Sequence, residues 1–164
     1  MSNNSGLATY DAVTIQVPIA GKTYAVTECM VDQADLLYYV ANPRVFSLLH
    51  IDGAVPDQDD FEKFFHGKEK VRKLSRRIAR NGGLLDPVLV KAATREVVEG
   101  NTRLAACRLL FKKDPITWGR IRAHILPPAV DEKQHCLRTL RVPHIRKGRL
   151  GNVRAVQLLL QATF

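Results

Sequence analysis

The chain is expected to form a single α/β domain, and three features of its sequence predict this. Short runs rich in β-branched residues alternate with longer runs whose apolar residues recur every three or four positions. Its 164 residues are 46% apolar, enough for one core that buries roughly 70% of the unfolded surface without staples. Three cysteines, Cys29, Cys107 and Cys136, are odd in number, widely spaced and form no C-x-x-C pair. Neither a disulfide framework nor a zinc cluster is indicated, and buried thiols are expected.

The elements follow in order. Residues 1–10 read as a flexible tail and residues 11–164 as the domain. Strands are expected at 13–17 and 23–27, joined by a turn at Ala20-Gly21. A mixed segment over 32–44 carries Tyr38 and Tyr39 ahead of Asn42-Pro43-Arg44, where the proline makes Asn42 extended and stops any helix. A loop over 52–60, rich in Asp, Gly and Pro, leads to a short helix at 60–65. The next helix, 68–81, places Val71, Leu74 and Ile78 on one side, with Gly82 as its C-terminal stop. Strands at 87–92 and 96–98 precede a helix over 102–113, and a strand at 121–126 follows. Asp131 is expected to cap a helix to about Leu140, a basic linker spans 142–151, and Asn152 caps a last helix through Gln161. No internal repeat is present.

The net charge of +9 and a pI near 9.8 point to a polyanionic partner. The charge is clustered. Between residues 68 and 80 lie Lys68, Lys70, Arg72, Lys73, Arg76, Arg77 and Arg80 against one acid, Glu69; between 138 and 154 lie Arg138, Arg141, Arg146, Lys147, Arg149 and Arg154 with none. DNA bound largely without regard to sequence is the expected partner of these tracts. No stretch approaches the roughly 18 apolar residues of a membrane span, and the polar start lacks a signal-like apolar region, so a cytoplasmic protein without membrane contact is expected.

Residues 97–106 carry the sharpest local signal. Val97 and Val98 run into Glu99, Gly100, Asn101, Thr102 and Arg103, and an apolar helix face of Leu104, Cys107, Leu110 and Phe111 follows. A strand delivered to Gly100, with Asn101 or Thr102 capping the helix, presents unpaired N–H groups and a positive dipole end beside Arg103, which suits a phosphate.

Asn42-Pro43-Arg44, then Asn81-Gly82-Gly83-Leu84-Leu85-Asp86-Pro87-Val88 at a helix end, then Glu99-Gly100-Asn101-Thr102-Arg103 together resemble the N-terminal domain of the ParB/sulfiredoxin superfamily, over about residues 28–126. The resemblance implies a small mixed sheet flanked by helices and a bound nucleoside triphosphate, CTP or ATP, with Mg²⁺ as a possible companion. It places the phosphates on Gly100, Asn101, Thr102 and Arg103, with Asn81, Gly82 and Gly83 as the other rim. It further implies a nucleotide-gated DNA-binding or clamp module of a plasmid, phage or partition-related system, able to homodimerise. Its nuclease members imply an alternative, a metal-dependent DNase or slow NTPase; a non-catalytic interaction domain is the third reading. The chain departs from the family at informative places. Asn101 stands where sulfiredoxins carry their nucleophilic cysteine, which excludes sulfinic-acid reduction. The partition-type G-E-R-R is replaced by Gly100-Asn101-Thr102-Arg103, losing an acid and an arginine.

Glu99 is the one catalytic candidate, able to hold Mg²⁺ or orient water beside the turn, with Asp86 and Glu96 the nearest acids in sequence. His144 and Arg146 sit in a basic loop that the resemblance brings to the phosphates, and Arg146, Lys147 and Arg149 extend the DNA-binding set. His124 reads as a strand-face or core residue, and His135 as structural or exposed. Tyr38, Tyr39, Phe46, Phe61, Phe64 and Phe65 flank basic segments, but such spacing belongs more often to a core than to base stacking.

Overall fold

A computed structural model describes residues 7–19, 22–40 and 55–131. Two strands, β1 (Thr9–Ile19) and β2 (Lys22–Asp32), pair antiparallel. Both exceed their expected lengths, because pairing rather than propensity recruits their polar ends. The tail expected over 1–10 gives way by Leu7, which is buried, and Tyr10 already lies in β1. Its hydroxyl donates to Asp32 at 3.3 Å, and its ring packs 3.6 Å from the Arg120 guanidinium. A 3-10 turn at Gln33–Asp35 leads to β3 (Leu37–Tyr38). Asn42-Pro43-Arg44 and Phe46 lie outside the described residues.

Helix α1 (Gln58–His66) starts two residues before the expected position because Asp57 caps it. The Asp57 carboxylate accepts from the Asp60 N–H at 2.8 Å, and the Asp60 carboxylate accepts from the Asp57 N–H at 3.1 Å. Helix α2 (Glu69–Asn81) follows its predicted span, with Lys68 at the cap and Gly82 in the left-handed region at φ +70° as the stop. Then come β4 (Val88–Lys91), β5 (Glu96–Glu99) and α3 (Asn101–Phe111). A short α4 (Pro115–Trp118) was not expected. Asp114 starts it by accepting from the Ile116 and Thr117 N–H groups, with Pro115 at the first helical position. After β6 (Arg120–Leu126) the chain is helical from Pro128 in α5 (Pro128–Asp131), three residues before the cap expected at Asp131.

The six strands make one mixed sheet in the order β1-β2-β6-β4-β5-β3. β4 runs parallel to β6 and β3 to β5, while the other neighbours are antiparallel, so the fold is α/β. Alternation along the strands divides the core in two. Cys29, Val31, Val88, Val90, Val97, Ile121 and Ala123 turn toward the helices and meet Phe61, Phe65, Val71, Ile78, Leu104 and Leu110. Val26, Leu89 and Leu126 point to the opposite face, where Val17 and Val130 join them. Each buried Val, Leu, Ile or Phe side chain contributes roughly 1.5–3 kcal/mol, and the helix-facing cluster is the larger.

Two placements matter for function. Helix α2 packs along α3. Leu89 opposes Glu99, so the start of β4 and the end of β5 share one end of the sheet, and the loop over residues 82–87 stands beside Gly100.

Candidate nucleic-acid interface

Gly100 lies at φ +103°, ψ 20°, and is itself the N-cap of α3, with no side chain capping the helix. This corrects the expected cap at Asn101 or Thr102. Reversing the chain from β5 into α3 requires one left-handed residue, and glycine takes that conformation without penalty. A Cβ at this position would lie 3.0 Å from both Val88 Cγ1 and Arg103 Nε. Asn101 becomes the first helical residue and is 5% exposed, its Oδ1 without a partner among the described residues.

Arg103, expected to face a phosphate, turns inward. Its guanidinium donates to the carbonyls of Asp86, at 3.0 Å, and of Pro87, and to Glu99 Oε1 at 3.2 Å. It therefore ties the 82–87 loop to the Gly100 turn. Glu99 is engaged by the same arginine through Oε1, while its Oε2 is buried without a partner among the described residues.

Thr102 alone of the four turn residues lines an open groove. The groove measures about 820 Å³, and its other lining residues are Lys70, Lys73, Leu74, Arg76, Arg77 and Arg80 of α2. Among the described residues, five cations and no acid line it. The sequence builds this surface through helical periodicity: Val71, Ser75 and Ile78 are buried, which leaves the intervening basic residues outward. Lys73 is also paired with Glu69 at 2.9 Å, but both are largely exposed and such a pair contributes little. Lys68 and Arg72, the other two basic residues expected here, lie off the groove. Lys68 sits 4.3 Å from the centre of the Phe64 ring, and Arg72 donates to the His66 carbonyl at 3.4 Å.

Asn81, Gly82 and Gly83 form the helix stop and line no part of this groove. The Gly82 N–H donates to the Ala79 carbonyl and the Gly83 N–H to that of Ile78. Asp86 contacts Arg103 through its carbonyl. Glu96 accepts from the Thr94 hydroxyl at 2.8 Å on the exposed hairpin between β4 and β5.

Two further charged clusters are structural joints. Glu62 on α1 accepts from Lys112 at 2.7 Å and from Arg108 at 3.0 Å, with His66 Nδ1 at 3.7 Å. Burial opposes the Glu62 charge, yet the Lys112 hydrogen bond and the Arg108 charge hold its carboxyl below the ordinary value of 4.5. Burial pushes the His66 imidazole down from 6.5, against the opposing pull of Glu62. Arg108 also donates to the Leu36 carbonyl at 2.7 Å and covers the Tyr38 ring, so this joint binds α1, α3 and the β3 segment. On the opposite sheet face, Glu28 joins His124 at 2.8 Å and Arg122 at 2.7 Å. The His124 hydrogen bond and then that of Arg122 lower the Glu28 pKa. His124 is thus a strand-face residue.

Tyr38, Phe61 and Phe65 are buried, and both phenylalanine rings stack with Tyr38, so these aromatics belong to the core and not to a base-stacking surface. Cys29 and Cys107 are buried thiols whose pKa values desolvation raises, to about 11 and about 12. Among the described residues no group of three or more His, Cys, Asp or Glu side chains is placed to hold a metal, and no helix is long and apolar enough to cross a membrane. His135, Cys136, His144, Arg146, Lys147, Arg149 and the rest of the 138–154 tract lie outside the described residues.

The sequence reading missed the meeting of Thr102 with the α2 cations. No local signal carries it, since the two surfaces are brought together only by the packing of α2 on α3. Compared with protein-family models, with curated proteins and with solved structures, the chain gives no match.

Proposed function

We propose that the domain is a DNA-binding module that holds phosphates in the groove between α2 and the first turn of α3, with the Thr102 end receiving a nucleotide phosphate that gates the grip. The observation that carries this is the union of five cations and a helix N-terminal residue in one groove that no acid lines among the described residues. Lys and Arg neutralise the phosphate backbone irrespective of sequence, and a helix N-terminus adds N–H donors and positive dipole. The groove, about 820 Å³ and open to solvent, has room for a triphosphate beside its cations.

The nucleotide and its class, CTP or ATP, come from the resemblance to ParB-like domains, as does a setting in a plasmid, phage or partition system. The geometry supports the phosphate half of that reading at Thr102 in place of Arg103. In this account Arg103 is the strut that fixes the turn and Thr102 its ligand-facing residue.

Thr102→Glu tests the reading cleanly. An acid in the first turn of a helix favours the helix by about 0.3–1 kcal/mol, so folding is retained, while the new carboxylate repels phosphate. Thermal unfolding with added CTP or ATP should rise for the wild type and not for Thr102→Glu; saturation at a hundredfold excess over Kd corresponds to about 2.7 kcal/mol. An equal rise in both proteins removes Thr102 from the site, and no rise with either nucleotide removes the gating.

A further inference from the structure

We propose that the outer edge of β1 pairs antiparallel with the same edge of a second copy of this chain, joining two six-stranded sheets into one. β1 ends the sheet, and among the described residues nothing pairs with its outer side. It is 11 residues long, whereas β3 at the other edge has 2. Sheet edges are ordinarily blunted by short length, by lysine or by an inward charge. Residues 12–19 carry no charge, in a chain whose net charge is +9.

Two features bound the free stretch and set its register. A bulge interrupts the ladder to β2 between Tyr10 and Val13, with Asp11 at φ +53°. Pro18, opposite Thr23, has no N–H, and proline is accommodated in a strand where that group would point out of the sheet. Backbone groups alternate in direction along a strand, so Gln16 and Thr14 also turn their N–H and C=O outward. Between the two stops lie residues 13–17, centred on Ile15. Self-pairing about that centre uses the whole stretch. Thr14 and Gln16 of one copy exchange hydrogen bonds with Gln16 and Thr14 of the other, and neither Pro18 nor the bulge takes part.

The side chains match in this register. Val13, Ile15 and Val17 share the sheet face away from the helices, where Val17 is buried, Ile15 packs against the smaller core and Val13 is 60% exposed. Val13 meets Val17 of the second copy and Ile15 meets Ile15, so the smaller core continues across the axis and Val13 is covered. An unrelated extended segment satisfies the backbone alone, while a copy of β1 also brings this matched apolar row. The two-fold axis stands perpendicular to the sheet, so both helix layers, and with them both basic grooves, face the same way. That consequence for DNA rests on the reading of the groove; the interface itself does not.

Sedimentation equilibrium over a concentration series should approach twice the 18.4 kDa of one chain for the wild type. Gln16→Pro removes one outward N–H, as Pro18 already does, and should be monomeric with an unchanged circular dichroism spectrum. Thr14→Lys/Gln16→Lys sets like charges opposite one another at exposed positions and should also be monomeric, whereas Thr14→Lys/Gln16→Glu sets opposite charges there and should dimerise. A wild type of one-chain mass at every concentration, a dimer that survives either disrupting change, or a monomeric Thr14→Lys/Gln16→Glu overturns the pairing. A dimer that the variants split as expected but that binds no duplex upholds the interface and overturns the groove reading.

Discussion

Thr102 on α3 and Arg77 on α2 line the same groove, although 25 positions separate them in the sequence. Their meeting depends on the Gly100 turn, which aims the first turn of α3, and on Arg103, which locks that turn to the 82–87 loop. The stability of this corner and the binding capacity of the groove are separable, and the predictions below exploit the separation.

Gly100→Ala should destabilise the fold by roughly 1–3 kcal/mol. The backbone is left-handed at φ +103°, and the added Cβ meets Val88 and Arg103 at 3.0 Å. Urea unfolding followed by circular dichroism measures it; stability equal to the wild type would mean that the turn does not require glycine.

Arg103→Lys should also cost about 1–3 kcal/mol, since an ammonium cannot span two carbonyls and a carboxylate as the planar guanidinium does. DNA affinity, measured below the unfolding transition, should change less than threefold. A large loss of affinity without loss of stability would return Arg103 to the phosphate-binding role expected from the sequence.

Stability should fall on acidification in two steps. The His66 pKa is lowered in the fold, so the unfolded chain takes up a proton first, and stability drops as pH falls below about 6.5 toward the folded value. The carboxyls of Glu62 and Glu28 are also lowered, so their stabilisation is complete above about 4.5 and is lost as pH falls through their folded values. Removing the imidazole in His66→Asn should flatten the upper step and leave the lower one. An unchanged profile between pH 5 and 6.5 would contradict the assignment.

Cys29 and Cys107 should resist an aromatic disulfide reagent in the native state, because burial raises both thiols and removes them from reach. The readout is thiol release with Cys136→Ser as background. Fast reaction of either thiol without denaturant would contradict the burial.

Much of the fold was legible in the sequence, for local reasons. Val71, Leu74 and Ile78 set the period of α2, and Gly82 ended it where a left-handed residue was needed. The α/β class followed from alternating element types. What was not legible depends on partners distant in the chain. β2 runs past Thr27 to Asp32 because β6 pairs with it there, and β1 starts at Thr9 because Thr9 and Tyr10 pair with Val31 and Met30. Asn101 looked like a cap, but the reversal from Glu99 demanded a left-handed residue and Gly100 took the place. Arg103 carries the charge a phosphate needs, and no rule of spacing foretold that two carbonyls from the 82–87 loop would claim it. Glu62 and Arg108 stand 46 residues apart and meet only in the packed domain.

The measurement closest to the central claim is the salt dependence of duplex binding by wild type and by the double variant Arg76→Gln/Arg77→Gln. With about four or five phosphates neutralised, log K against log[salt] should have a slope near −4, and losing two contacts should reduce its magnitude by about 1.8 for every duplex sequence tried. A slope near zero, or one that the double variant leaves unchanged, would contradict the assignment of this groove to DNA.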